Sequence, residues 1–278
     1  MKIKAVFSDL DGTLLIDNFK TSQENIDAIT AALNSGIDFI PTTGRAISDV
    51  PQQLKSVEKI RNFILTNGAT VFDRQKNIIL YKNYISCKDA LELMSSEGAS
   101  KCCVMAFLDG QVHYQKDWEK RLNGSPVCPD VAEFLMYGCK EVENLYEYVK
   151  NRNKSVEKIT FFFTDLDNRI DVINNTLLLE EFELSYTLEL NLEITNKGVN
   201  KANGIKEFCK IKGYSMDEIA VIGDSGNDIE MLSLTKNSYA VENAVEKAKL
   251  AANYSAPRNT ESGVAWVINK ILKENTLA

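Results

Sequence analysis

The chain is short of histidine, paired cysteines, positive charge and long apolar runs, and each shortage removes a class of protein. Its only histidine, His113, lies mid-chain, where a packed or solvated ring is expected rather than a catalytic one. Six cysteines (Cys87, Cys102, Cys103, Cys128, Cys139 and Cys209) include no C-x-x-C pair, and no secretory leader precedes them. Reduced thiols in a cytoplasmic protein are therefore expected. Cys102 and Cys103 fall in a strand-like stretch whose alternation sends neighbouring side chains to opposite faces, which suits buried structural thiols. No apolar run approaches the roughly 20 residues that cross a bilayer, so no membrane partner is expected. The 32 Lys and Arg are scattered and outnumbered by 39 Asp and Glu, giving a net charge of −7. That balance argues against a nucleic-acid binder, which neutralises phosphates with clustered cations. Repeats, low-complexity tracts and Pro-rich linkers are also lacking, so no obvious seam divides the chain.

What is present is an ordinary globular composition, 44% hydrophobic and 26% charged over 278 residues. That length suits one domain carrying an insertion, or two modest domains, as a monomer or small homo-oligomer. The apolar run 3–8 leads straight into Asp9-Leu10-Asp11-Gly12-Thr13, placing two carboxylates at a strand's carboxyl end, where open α/β sheets bind ligands. Thr21 with Glu24 reads as a capping box. Ile26, Ile29, Ala32 and Leu33 follow at helical spacing until Gly36, which predicts a helix over 22–35. The strand 37–40 ends in Thr42-Thr43-Gly44-Arg45, and 63–65 ends in Asn67-Gly68. Late in the chain the pattern returns: a helix over 201–212, a strand over 219–222, Gly223-Asp224-Ser225-Gly226-Asn227-Asp228, and a further strand with two helices. Between these halves, 81–190 mixes strands and helices and is rich in aromatics. The expected division is a core of 1–80 and 191–278 with an inserted second domain of 81–190.

Phosphoryl transfer needs an in-line nucleophile, a proton donor for the leaving oxygen and positive charge on the phosphoryl oxygens. A D-x-D at a strand end offers the first two: Asp9 to attack and Asp11 to donate a proton. Two anions so close repel, and Mg²⁺ held between them and a third carboxylate relieves that repulsion; Asp224, at another strand end, is the natural third. Gly12 allows a tight turn, and Thr13 can donate to phosphate or to Asp9. Thr43 and Gly44 offer a hydroxyl and an unobstructed N–H, and Lys201 adds positive charge at a helix start. Taken singly, each has a plain alternative: an Asx turn for the D-x-D, an ordinary turn for Thr-Gly, a solvated side chain for Lys201. Order and spacing raise them together. A second strand plus D-x-D, Phe161-Phe162-Phe163-Thr164-Asp165-Leu166-Asp167, lacks the following Gly-Thr and reads as a turn. Its phenylalanines, with Tyr114 and Trp118, read as core of the insertion.

Four segments together resemble the motifs of haloacid-dehalogenase-like (HAD) phosphatases, in their Cof-like branch (subfamily IIB, C2-type cap). They are Asp9-Leu10-Asp11-Gly12-Thr13-Leu14-Leu15, Thr43-Gly44-Arg45, Gly198-Val199-Asn200-Lys201 and Gly223-Asp224-Ser225-Gly226-Asn227-Asp228-Ile229-Glu230-Met231-Leu232. Thr66-Asn67-Gly68-Ala69, Asn243-Ala244 and Gly263-Val264-Ala265 extend the likeness over both core segments. The resemblance implies an α/β fold: a Rossmann-like three-layer α/β/α core with an inserted α/β cap that sets substrate specificity. It further implies Asp9 as nucleophile and metal ligand, Asp11 as acid/base and metal ligand through its carbonyl, and Asp224 completing a Mg²⁺ site. Thr43, Gly44 and Lys201 would bind phosphate. Asn227 would orient it, with Asp228 and Thr13 supporting the site from behind; helix capping is the alternative for Asn227 and Asp228. Thr42 and Ala46 depart from the family's usual small residue and proline beside the second motif. The implied activity is Mg²⁺-dependent hydrolysis of a phosphate monoester of a small metabolite, a sugar phosphate or phosphorylated cofactor. A sugar phosphomutase or phosphotransferase is the rival enzyme reading, and a catalytically silent sensor of a phosphorylated ligand the rival of another class.

Overall fold

The protein is described here from a computed structural model covering residues 2–17, 19–95, 99, 102–123, 125–126, 128–129, 132, 138–175, 180–186 and 189–277. Its strands, in chain order, are β1 (Ala5–Ser8), β2 (Asp38–Pro41), β3 (Asn62–Leu65), β4 (Thr70–Asp73), β5 (Ile78–Lys82), β6 (Cys103–Leu108) and β7 (Gln111–Gln115). They continue as β8 (Lys140–Val142), β9 (Lys158–Phe162), β10 (Phe182–Ser185), β11 (Asn191–Asn196), β12 (Ile219–Gly223), β13 (Ser238–Val241) and β14 (Tyr254–Ala256). The described helices of eight residues or more are α1 (Gln23–Asn34), α2 (Cys87–Ser95), α3 (Leu145–Arg152), α4 (Leu166–Asn175), α5 (Lys201–Lys212) and α6 (Gly263–Leu277).

Two compact units result. The first is Met1–Gly44, Val50–Lys82 and Asn200–Ala278; the second is Arg45–Asp49 and Asn83–Val199. The first unit holds a parallel sheet in the order β14-β13-β12-β1-β2, and an antiparallel meander β3-β4-β5 continues beside β2 through a parallel bridge from Thr42 to Ile64. Strand β1 lies mid-sheet and all four of its residues are buried, as an unbroken apolar run between two parallel neighbours requires. Phe7 meets Phe208 of α5 edge to face at 5.6 Å, while α1 and α6 pack together. This is the expected Rossmann-like α/β/α core. The chain leaves β1 toward β2 on one side, and β12 leads to β13 on the other. Such reversals of strand order are where ligands bind.

Helix α1 occupies the expected span, but its cap is Ser22, whose Oγ accepts the Asn25 N–H at 3.1 Å. Thr21 stands one residue before the cap, where its hydroxyl donates to the Leu14 carbonyl at 2.7 Å and accepts Asn25 Nδ2 at 3.0 Å, tying the helix start to the loop after β1. The last strand, β14, was not foreseen; its three residues are too few to show a period.

The second unit is a sheet in the order β10-β11-β9-β6-β7-β8. One face carries Ile159, Phe161, Phe163, Leu192 and Cys102 in a large apolar cluster; the other carries Cys103, Met105, Phe162 and Trp118 with Ala46 in a smaller one. The adjacent cysteines thus divide between faces, and burial raises both thiols, Cys103 to about 12. All six cysteines are free. Asp165 of the second D-x-D accepts the Asn168 N–H at 2.9 Å and caps α4. His113 is packed, bonding through Nε2 to the Tyr148 hydroxyl at 2.9 Å. The unit's borders differ from 81–190. Strand β11 pairs with β9 and β10, so the first unit resumes at Asn200 rather than 191, and Arg45–Asp49 joins this unit although it lies far upstream. Among the described residues no helix is long and apolar enough to cross a membrane.

Among the described residues of this unit three acids are buried; Glu193 is paired with Lys158 at 2.9 Å, whereas Asp49 and Glu157 are 1% and 3% exposed, and Asp49 Oδ2 and Glu157 Oε2 accept no protein hydrogen bond. Burial is the leading cause that lifts Asp49 to about 6 and Glu157 to about 7, outweighing the Ser48 hydroxyl at Asp49 and the Gly110 N–H at Glu157. The folded chain therefore holds these protons more tightly than the unfolded chain, and their contribution to stability falls as pH rises from the unfolded values through the folded ones. We expect unfolding free energy to decline between pH 5 and pH 7 by on the order of a few kcal/mol and then level. Urea titrations followed by Trp118 fluorescence in a Trp266→Phe background test this. Asp49→Asn with Glu157→Gln should flatten the decline, and an unchanged slope would contradict it.

Candidate active site

Parallel pairing of β1 with β12, in register Ser8 to Ile222, brings Asp9 and Asp224 to the same sheet edge, and the Asp9 N–H donates to Ile222 O at 2.9 Å. The loop 10–14 turns back at once, with Leu15 N–H donating to Leu10 O at 2.8 Å. Gly12 makes this turn possible. Its φ is +78°, and a Cβ there would stand 2.5 Å from Asp224 Oδ2. Asn243 Nδ2 donates to the Gly12 carbonyl at 2.7 Å and fixes the loop from outside.

Lys201 enters this edge from the first turn of α5, whose cap is Asn200; its side chain accepts the Asn203 N–H at 2.8 Å. At 1% exposure the Lys201 Nζ lies 2.7 Å from Asp9 Oδ1 and 2.7 Å from Asp228 Oδ1, with Asn227 Oδ1 at 3.4 Å. Asp228 Oδ2 accepts the N–H groups of Asp224 and Ser225, each at 3.0 Å. One Asp228 oxygen therefore caps the turn after β12, as the helix-cap alternative has it, and the other accepts from Lys201, a partner not foreseen. Thr13 Oγ1 donates to Asp224 Oδ1 at 2.6 Å, so its hydroxyl serves that carboxylate, where Asp9 or phosphate was expected.

One carboxylate oxygen from each of Asp9, Asp224 and Asp228 lies within 4.8 Å of the others. Three carboxylates against one ammonium leave two net negative charges in a buried space. Burial first, and Asp228 second, push the Asp9 carboxyl well above its ordinary range against the pull of Lys201. Asp224 is raised by burial and then by Asp228, with the Thr13 hydroxyl opposing. Lys201 is raised in turn: the Asp228 and Asp9 charges overcome a burial penalty that by itself would lower it. An all-oxygen set carrying this charge excess fits a hard divalent cation. Both Asp228 oxygens already accept donors, so Asp9 and Asp224 are the better-placed ligands. Asp11 is exposed and its carboxylate lies outside the trio.

The second motif is buried beside this cluster. Thr43 N–H donates to Ile64 O at 2.9 Å, and Asn67 N–H donates to Thr43 O at 3.0 Å. A Cβ on Gly44 would stand 2.9 Å from Asn67 Oδ1, which receives Asn227 Nδ2 at 3.2 Å. Asn67 and Asn243 are structural partners of the site that motif reading had marked only as likenesses. Asn67 carries one further signal, a non-glycine residue in the left-handed region at φ +57°.

A family model described as haloacid dehalogenase-like hydrolase matches residues 6–268. The chain belongs to that family. The Cof-like assignment made from the motifs stands with it, and the protein is a phosphoric monoester hydrolase rather than a silent sensor. It is similar to the 5-amino-6-(5-phospho-D-ribitylamino)uracil phosphatases YbjI of Escherichia coli, 27% identical over 98% of this chain and 97% of that one, and YwtE of Bacillus subtilis, 26% identical over 97% and 98%. Among solved structures, the HAD phosphatase BT1666 of Bacteroides thetaiotaomicron superposes with a TM-score of 0.77 at 26% identity, covering 97% of this chain and 95% of its own.

Proposed function

We propose that this HAD phosphatase hydrolyses the phosphate monoester of a small polyhydroxylated metabolite, a sugar phosphate or a phosphorylated cofactor precursor, through an aspartyl-phosphate on Asp9. The observation that carries this is the buried Asp9–Lys201–Asp228 chain beside Asp224: a strand-end carboxylate held in place by a cation that can also meet phosphoryl oxygens. Asp9 attacks phosphorus, the bond to the leaving oxygen breaks, and Asp11 gives that oxygen its proton. Water then attacks phosphorus, Asp11 takes the water's proton, and Asp9 is regenerated as phosphate leaves. Thr43, Gly44, Lys201 and Asn227 bind the phosphoryl oxygens, while Thr13 and Asp228 hold Asp224 and Lys201. Asp9, Asp224 and the Asp11 carbonyl would hold Mg²⁺, which when bound supplies countercharge for the phosphoryl oxygens and the crowded carboxylates.

The relatives named for a phosphoribitylamino compound act on a phosphorylated polyol chain, and that chemistry guides the choice of substrates. The test is phosphate release from a panel of sugar phosphates, phosphorylated polyols including the ribitylaminouracil phosphate, and p-nitrophenyl phosphate. We expect Mg²⁺-dependent turnover that chelation abolishes and Mg²⁺ restores; full activity after exhaustive chelation would remove the metal assignment. Recognition of the leaving group is assigned to the six-stranded unit. A metabolite exceeding the aryl phosphate in kcat/KM by about 10²-fold or more would show binding energy beyond the phosphoryl group. A flat panel would remove that assignment, and phosphate recovered on an added sugar instead of in water would favour a phosphotransferase.

A further inference from the structure

Between β3 and β4 the chain takes three left-handed residues in succession: Thr66 at φ +50°, Asn67 at +57° and Gly68 at +98°. All three are buried. Only the glycine adopts this region freely, and a β-branched threonine there is strained. Such backbone persists where its surroundings over-determine it, and it gathers at functional sites. Its neighbours Thr43, Gly44, Asn200 and Asn227 belong to the same unit. A Cβ on Gly68 would collide with the Asn200 carbonyl, and one on Gly204 would stand 2.9 Å from Gly68 Cα, so the turn lies directly against the start of α5. Asn200 caps that helix and Lys201 is its first residue. On the other side the Asn67 N–H donates to Thr43 O at 3.0 Å, and Gly44 lies so close to the Asn67 amide that no side chain fits between them.

The Asn67 side chain reaches one more group: its Oδ1 accepts Asn227 Nδ2 at 3.2 Å. Asn227 Oδ1 meanwhile accepts the Ser225 hydroxyl at 2.7 Å and faces Lys201 Nζ at 3.4 Å. A primary amide has one accepting and one donating end, and only the donating end can bind an anionic phosphoryl group. Ser225 does not choose between the ends, because a hydroxyl donates and accepts alike. Lys201 does choose, since an ammonium only donates, but its contact is long and its hydrogens also go to Asp9 and Asp228, each at 2.7 Å. The Asn67 oxygen is the acceptor that keeps the Asn227 nitrogen turned to the side where Gly44 lies. Because Nδ2 carries two hydrogens, one remains for a phosphoryl oxygen.

We propose that Asn67 is a positioning residue for the phosphate site. Its side-chain oxygen holds the Asn227 amide with the nitrogen toward the phosphoryl group, and the left-handed turn fixes Asn67 between Thr43-Gly44 and the start of α5. The proposal rests on the phosphate site assigned under Proposed function. Asn67→Gly tests it, since glycine loses the acceptor yet takes the left-handed backbone without strain. It is compared with Asn227→Ala and with the double variant. The readouts are inhibition of p-nitrophenyl phosphate hydrolysis by inorganic phosphate, kcat and KM, the Mg²⁺ concentration giving half-maximal rate, and Tm. We expect either single change to weaken phosphate inhibition and raise KM by about tenfold, and the double variant to weaken them by no more than about twofold further. The fall in kcat should be smaller than the rise in KM, with Mg²⁺ dependence unchanged. A merely structural role for Asn67 would lower Tm and add its loss to that of Asn227→Ala. Additive losses, or unchanged inhibition in Asn67→Gly while Asn227→Ala weakens it, overturn the proposal and leave the phosphate site standing. Should Asn67→Gly fail to fold, Asn67→Ser takes its place in the same cycle, because its shorter side chain stops short of Asn227, and the same outcomes decide. Unchanged inhibition in Asn227→Ala, or a wild-type enzyme that turns over the aryl phosphate but is not inhibited by inorganic phosphate, removes the phosphate-site reading itself, and the positioning role with it.

Discussion

Asp9→Asn is expected to fold normally and to lose turnover by about 10⁴-fold or more, since a neutral amide cannot attack phosphorus and loss of a nucleophile collapses the sequence that depends on it. The substitution is close to isosteric, and the Lys201 ammonium 2.7 Å away keeps a carbonyl oxygen to donate to, so the loss is one of chemistry and not of shape. Circular dichroism and thermal unfolding should match the wild type. Activity of Asp9→Asn within tenfold of wild type, in protein purified free of it, would show that another group attacks.

Lys201→Met is expected to damage both fold and function. It leaves the Asp9 and Asp228 carboxylates, with side chains 5% and 0% exposed, without their common cation. Removing one partner of a buried pair typically costs about 3–5 kcal/mol, because a buried charge is left uncompensated. The Asp9 carboxyl, which burial already pushes up, can escape part of that cost by taking up a proton, so the deficit should be smaller at pH 5 than at pH 8. Urea unfolding at the two pH values, followed by Trp266 fluorescence in a Trp118→Phe background, measures it. Turnover should also fall by about 10²-fold or more, since the charge that meets developing phosphoryl negativity is gone. Stability equal to wild type at pH 8 would mean that the buried carboxylates are not ionised, and the electrostatic account of the site would fail.

Much of this site could be read in advance because its residues sit where backbone pattern changes. The apolar run before Asp9, and another before Asp224, mark strand ends without any knowledge of the sheet, and a strand end is where a functional carboxylate can be exposed to a ligand. The pairing of Lys201 with Asp228 was less legible: Asp228 also suits a helix cap, and only the fold shows that one oxygen caps while the other holds the lysine. Thr13 was assigned to phosphate or Asp9 because its spacing allows either; its real partner, Asp224, lies 211 residues away and follows from β1 pairing with β12. The border near 191 failed for a similar reason. Leu192 and Ile194 alternate with Asn191, Glu193 and Thr195, a pattern that fits a half-buried strand in either unit, and sheet pairing alone decides which. Arg45 closes the second motif, but nothing in the sequence signals that Arg45–Asp49 belongs to the other unit, since five such residues read as an ordinary loop.

The covalent step on Asp9 is the centre of this account, and direct trapping tests it. Enzyme mixed with saturating p-nitrophenyl phosphate and Mg²⁺, quenched in acid within milliseconds and reduced with borohydride, should show homoserine in place of aspartate at position 9 by peptide mass spectrometry. The conversion should depend on substrate and be missing from Asp9→Asn. Reduction at another aspartate, or substrate-dependent turnover with position 9 unmodified when the aryl alcohol is released in a stoichiometric burst, would contradict it.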